Sequence, residues 1–169
     1  MTETTKGLSR RRLLLGFAPG LIKEEKESAP AEPVQEAEEF VAGLTALEQG
    51  DYAKAIELLR PIVKDHKDDD EARTALGLAL YKNGEHVQAK VEFDRLVYGG
   101  RRDRLAALYQ GLCWLKMDKP LKARQSFREY VNPDNDPVQD ELYRQIDRID
   151  AGGDPESIIS AVELANKRS

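Results

Sequence analysis

The chain carries a single cysteine, Cys113, two histidines, His66 and His86, and one tryptophan, Trp114, among 169 residues. One cysteine excludes an intramolecular disulfide and leaves the redox compartment unmarked. Cys113 stands in Leu112-Cys113-Trp114-Leu115 with no histidine near it in the chain. That is the setting of a buried, inert thiol and not of a nucleophile. No His or Cys stands at a ligand spacing, so no metal or cofactor is expected, and no catalytic residue stands out. Long apolar runs are missing too: a spanning helix needs about 18 consecutive apolar residues, and the longest candidate, Leu13 to Ile22, is broken by Gly16, Pro19 and Gly20. An excess of positive charge is also absent. With 26 Lys and Arg against 31 Asp and Glu, the net charge is −5, and the phosphate electrostatics of nucleic-acid binding are lacking.

Two segments imitate sites without completing them. Asp65-His66-Lys67-Asp68-Asp69-Asp70-Glu71 is acidic, but it lacks the spaced ligands, central glycine and terminal glutamate of a calcium loop. Asp69 or Asp70 as a helix cap accounts for it better. Gly99-Gly100-Arg101-Arg102-Asp103-Arg104 has no Lys-Ser/Thr after its glycines, so it reads as a loop and helix start and not as a phosphate loop. His66 and His86 fall in a loop and a turn, where both are expected to be solvated. The composition is nonetheless that of a folding chain, 40% hydrophobic and 34% charged, the latter above the usual quarter or so.

What is present is a repeat. Ala42-Gly43-Leu44, Leu76-Gly77-Leu78 and Gln110-Gly111-Leu112 recur every 34 residues. So do Ala55, Ala89 and Ala123, each followed four residues on by Leu59, Phe93 or Phe127. Turn signals Gln49-Gly50-Asp51, Asn83-Gly84-Glu85 and Met117-Asp118-Lys119 keep the same step. Three markers in one register over about 100 residues define a supersecondary unit repeated three times. Glycine inside a helix costs about 0.5–1 kcal/mol against alanine, so its return at one phase implies a packing demand, read here as close approach of the two helix backbones of each unit.

The pattern Gly-Leu-x5-Gly-[Asp/Glu]-[Tyr/His]-x2-Ala-x3-[Leu/Phe] resembles the tetratricopeptide repeat in motif and in period. The unit around Gly50-Asp51-Tyr52-Ala53-Lys54-Ala55-Ile56 is closest. His86 replaces the usual aromatic in the second unit, Asp118 replaces the turn glycine in the third, and the usual early tryptophan is missing. The resemblance implies an all-α fold: a short right-handed α-solenoid of three helical hairpins over residues 36–69, 70–103 and 104–137. After Pro133-Asp134-Asn135-Asp136-Pro137 a helix is expected from Val138 to Ile149. Then Ala151-Gly152-Gly153 stops it, and a last helix is capped by Asp154 with Pro155 first. Residues 138–169 thus read as a divergent fourth hairpin that caps the stack.

In this family the first helices of successive hairpins line a concave groove. By register the groove here comprises Phe40, Leu44 and Leu47, then Thr74, Leu78 and Tyr81, then Leu108, Leu112 and Leu115, with Lys82 and Lys116 at its edge and Leu142, Ile146 and Ile149 extending the row. Such an apolar stripe suits an amphipathic partner helix better than an acidic C-terminal peptide, for which the family carries Lys, Arg and Asn. A helical stripe of leucines also serves as core, so the row is read in both ways.

Residues 1–35 differ in kind, and end in a Pro/Ala linker, Ser28-Ala29-Pro30-Ala31-Glu32-Pro33. Ser9-Arg10-Arg11-Arg12-Leu13-Leu14-Leu15-Gly16-Phe17 resembles the twin-arginine export motif, with Arg10 and Arg11 as the pair, Leu13 in place of phenylalanine and Leu14 matching the residue after it. No Ala-x-Ala cleavage site follows at once, only Lys23-Glu24-Glu25-Lys26-Glu27. A vestigial motif on a cytoplasmic protein is therefore expected, as in some bacterial accessory subunits of redox enzymes, with periplasmic export as the alternative. Arg10, Arg11, Leu13, Leu14 and Phe17 are the candidate docking residues of this segment, for a partner or for the chain's own groove. Its basic excess allows only weak membrane contact. The function expected from the whole is a non-catalytic adaptor that binds a protein or peptide. An exported or membrane-peripheral structural component and a self-associating scaffold are the rivals.

Overall fold

The computed structural model describes residues 33–98, 103–130 and 137–168, all within one compact unit, Glu32–Ser169. Among the described residues there are eight α-helices and no strand: α1 Pro33–Gln49, α2 Tyr52–Asp65, α3 Asp70–Lys82, α4 His86–Leu96, α5 Arg104–Lys116, α6 Pro120–Glu129, α7 Pro137–Asp150 and α8 Pro155–Asn166. Helices pack in successive pairs, α1 on α2, α3 on α4, α5 on α6 and α7 on α8, and each pair meets the next through its second helix. The first helices are neighbours as well, α1 beside α3 and α3 beside α5. This is the stack of helical hairpins that the 34-residue period predicts.

The turns are set by four residues at that same step. Gly50, Gly84 and Gly152 have φ of +80°, +84° and +76°, and Asp118 stands in the left-handed region at +57°. Each closes its helix with the same two bonds. In the second hairpin Gly84 N–H donates to Tyr81 O at 3.1 Å and Glu85 N–H to Leu80 O at 2.9 Å; in the third, Asp118 and Lys119 donate to Leu115 and Trp114. These bonds satisfy carbonyls orphaned at the helix end. Helix starts are capped by aspartates: Asp51, Asp69, Asp103 and Asp154 accept from the N–H of Lys54, Ala72, Ala106 and Ser157. Asp69 is thus the cap within the acidic run, and Asp154 with Pro155 starts α8 as its sequence implies.

The two ladders of the repeat lock into each other. A Cβ placed on Gly77 would lie 2.8 Å from Cε1 of Phe93, one on Gly43 would lie 2.8 Å from Cγ of Leu59, and Gly111 sits closer still to the ring of Phe127. The glycines therefore make room for the Leu or Phe side chain of the second helix, and not for its backbone, which corrects the expectation of close backbone approach. Ala55, Ala89, Ala123, Leu59 and Phe93 are all fully buried, and Phe127 nearly so. Polar links cross the core beside this packing. Gln110 donates to Asp94 at 2.7 Å and accepts from Ser126 at 2.6 Å, tying α5 to α4 and α6.

The fourth hairpin breaks the pattern in a way that matters for the face built by the first helices. By register Leu142, Ile146 and Ile149 should prolong the row of first-helix residues. Instead α7 buries them with Val138, packing on α6 and α8. It is α8, a second helix, that lies against α5 and reaches Tyr81 and Lys82 of α3 through Glu163. No helix among the described residues is long and apolar enough to cross a membrane.

Candidate partner-binding face

The face built by α1, α3 and α5 divides into two halves. On the α1 side, Phe40, Leu44 and Leu47 are half-buried, held against the core while keeping part of their surface in solvent. Thr74 and Leu78 of α3 are half-buried too. Phe40 also borders a hollow of about 290 Å³ with Glu36, Ile62, His66 and Asp69. There His66 Nε2 lies 2.5 Å from Glu36 Oε1, so this histidine is exposed, as expected, but paired.

On the α5 side the same register is closed. Leu108, Leu112 and Leu115 are 0%, 1% and 2% exposed, and α8 lies on their helix. Polar contacts fix its course. Lys116 Nζ pairs with Glu156 at 2.8 Å, and Asn166 Nδ2 reaches Tyr109 Oη at 3.5 Å. The end of α5 thus meets the start of α8, so the two helices run antiparallel. Glu163, two turns after Glu156 on the same face, accepts from Tyr81 Oη at 3.1 Å and from Lys82 Nζ at 3.0 Å. Between these contacts Ile158, Ile159 and Val162 are buried. Tyr81, Lys82, Leu108, Leu112, Leu115 and Lys116 therefore come together, but around the chain's own last helix.

The electrostatics under α8 follow from this closure. Burial raises the Tyr81 phenol far above its ordinary value, and the Glu163 carboxylate adds to the effect. Tyr109 is raised mainly by burial. Its ring stacks on Phe93 at 5.6 Å and meets Tyr81 edge-on at 5.2 Å. His86 packs 5.5 Å from Tyr81, and its Nδ1 is buried without a hydrogen-bond partner among the described residues. Burial lowers its pKa, with Lys116 adding to the effect and Glu156 opposing it. The expectation of a solvated His86 is thus corrected, because its ring packs against Tyr81 and one ring nitrogen is buried. Cys113 is fully buried, its thiol pushed up to about 12 by burial first.

Arg10, Arg11, Leu13, Leu14 and Phe17 lie outside the described residues. Sequence reasoning missed the α8 residues Glu156, Glu163 and Asn166, and Tyr109 beneath them. Their partners stand up to 82 positions away, and no local signal marks such pairs. Among the described residues no group of three or more His, Cys, Asp or Glu could hold a metal ion.

Residues 46–112, from the end of α1 through most of α5, match the tetratricopeptide repeat family. No curated protein matches the chain. The matched stretch covers the second hairpin whole and parts of its two neighbours, and repeats of this family generally mediate protein–protein interaction.

Proposed function

We propose that this chain is a non-catalytic protein-interaction module that takes an amphipathic helix of a partner on its first-helix face, at the half formed by α1 and α3. One observation carries the reading: the other half of that face already holds a helix. α8 turns Ile159 and Val162 inward and sets Glu156 and Glu163 against Lys116 and Lys82 at the rim. An apolar row flanked by lysines thus receives an apolar stripe flanked by glutamates. Among the described residues no helix covers the α1–α3 half. Phe40, Leu44 and Leu47 stand at i, i+4 and i+7, and Thr74 and Leu78 at i and i+4, the spacing a docked helix reads. The Arg10-Arg11-x-Leu13-Leu14 resemblance suggests assembly of a membrane or redox complex as the setting.

The test is co-purification from the native cell with the full chain, with Leu78→Glu and Thr74→Glu variants, and with a chain beginning at Glu36. Far-UV circular dichroism checks that each variant stays folded. A partner retained by the chain from Glu36 and lost by Leu78→Glu supports the reading. A partner retained by both point variants but lost on removing the first residues overturns it, and moves recognition to the arginine–leucine segment.

A further inference from the structure

A second groove lies on the side of the second helices and shares none of its residues with the first-helix face. Its walls are α2 and α4, its floor is α3, and it encloses about 760 Å³. The floor is apolar, made by Leu76 and Leu80 of α3, 2% and 1% exposed, with Val63 of α2 beside them at 5%. On the α4 wall Val87 and Val91, one helical turn apart, are 64% and 41% exposed. Two β-branched apolar side chains turned to solvent on the wall above that floor form an apolar strip.

Charge surrounds that strip unevenly. Arg60, Lys64 and Lys67 line the α2 side, Arg95 the α4 side, and Arg73 one end. Three carboxylates, Asp68, Asp70 and Glu92, stand among them, which leaves a local excess of two positive charges on a chain whose net charge is −5. Glu92 is already held by Arg73 at 2.6 Å and by Arg95 at 3.1 Å. Arg73 also donates to Lys67 O at 2.5 Å, which pins that end of the groove. Toward the other end Arg60 reaches across to Gln88 Oε1 at 3.2 Å, linking the two walls. The walls are thus fixed by polar contacts at both ends, while the apolar strip between them stays open.

We propose that this groove binds a protein segment in which carboxylates flank apolar residues: the apolar side chains seat on Val87 and Val91, and the acids face Lys64 and Lys67. Charge complementarity selects the acidic flanks, and the exposed valines select the apolar anchors. A nucleic acid would gain the cations but nothing from the floor, and the acidic chain as a whole repels an extended polyanion. A flat anionic bilayer would meet the rim and leave the floor unfilled.

Three labelled synthetic peptides with blocked termini test this by fluorescence anisotropy on the full chain. One has leucines at i and i+4 flanked by glutamates, the second replaces the glutamates by lysines, and the third replaces the leucines by serines. The first is expected to bind, and to weaken as salt rises. Its affinity should fall roughly tenfold or more, about 1.4 kcal/mol, in Val87→Ser/Val91→Ser and in Lys64→Glu/Lys67→Glu. These side chains are exposed, so the fold is expected to persist, and circular dichroism checks that. Leu78→Glu should leave the affinity unchanged, which separates this groove from the first-helix face. Absence of saturable binding overturns the proposal, as does equal binding of the lysine or serine peptides. Indifference to the valine variant combined with competition by a DNA duplex also overturns it, in favour of a general polyanion surface.

Discussion

Replacing Gly77 by alanine sets two opposing effects against each other at one position. In an open helix the change stabilises by about 0.5–1 kcal/mol, because glycine loses more backbone entropy on folding. Here the new Cβ would stand 2.8 Å and 2.9 Å from Cε1 and Cζ of Phe93, against about 3.5–4.0 Å for a comfortable carbon contact. The ring would have to withdraw by roughly 1 Å, yet it is fully buried and stacked on Tyr109. Overpacking of this kind costs about 1–3 kcal/mol, so the expected net effect is a loss on the order of 1 kcal/mol. Urea titration followed by circular dichroism and by fluorescence of Trp114, the one tryptophan, measures it. Agreement of the two probes checks that the stack unfolds as one unit. A double-mutant cycle with Phe93→Val sharpens the test. Once the ring is removed the added methyl enters open space, and Gly77→Ala should become neutral or stabilising. If Gly77→Ala instead raises stability on the wild-type background by the helix-propensity amount, the ring-on-glycine account of the repeat is wrong.

Three further outcomes follow from the buried polar and titratable groups. Arg73→Leu should cost about 1–3 kcal/mol, since Glu92 loses its buried partner and keeps only the exposed Arg95, and the Lys67 carbonyl loses its donor. Adding Glu92→Leu should recover much of that in the same urea titration, because both charges are then gone. His86 takes up a proton less readily folded than unfolded. The stability it contributes is therefore complete above its ordinary value near 6.5 and is lost as pH falls through and below it. Urea midpoints at neutral and mildly acidic pH should diverge in the native chain and less so in His86→Phe; equal divergence would refute the assignment. Cys113, buried with its thiol near 12, should resist an aromatic disulfide reagent at mildly alkaline pH and react at once when urea unfolds the chain.

Much of this architecture is written at a fixed step along the chain. The turn residues Gly50, Gly84, Asp118 and Gly152, the caps Asp51, Asp69, Asp103 and Asp154, and the Gly–Phe and Gly–Leu pairs are contacts between residues about 16 positions apart or fewer. They are set by helix geometry and capping chemistry, and the amino-acid order alone makes them legible. The inward direction of His86 belongs to the same class in principle, since the repeat names that position as aromatic; its loop-like composition concealed it. The first-helix face is different in kind. Leu44, Leu78 and Leu112 occupy equivalent positions of the repeat, yet the first two keep some exposed surface and the last is 1% exposed. No local pattern distinguishes them. The difference arises because α8 turns back on α5, through contacts such as Glu163 with Tyr81 that span 82 positions. The groove between α2 and α4 is likewise assembled from three helices whose exposed valines and cations look ordinary when each is read alone. Periodicity determines which face of a helix points where, but whether that face meets solvent depends on what packs beside it. That is a property of the folded stack and of how it ends.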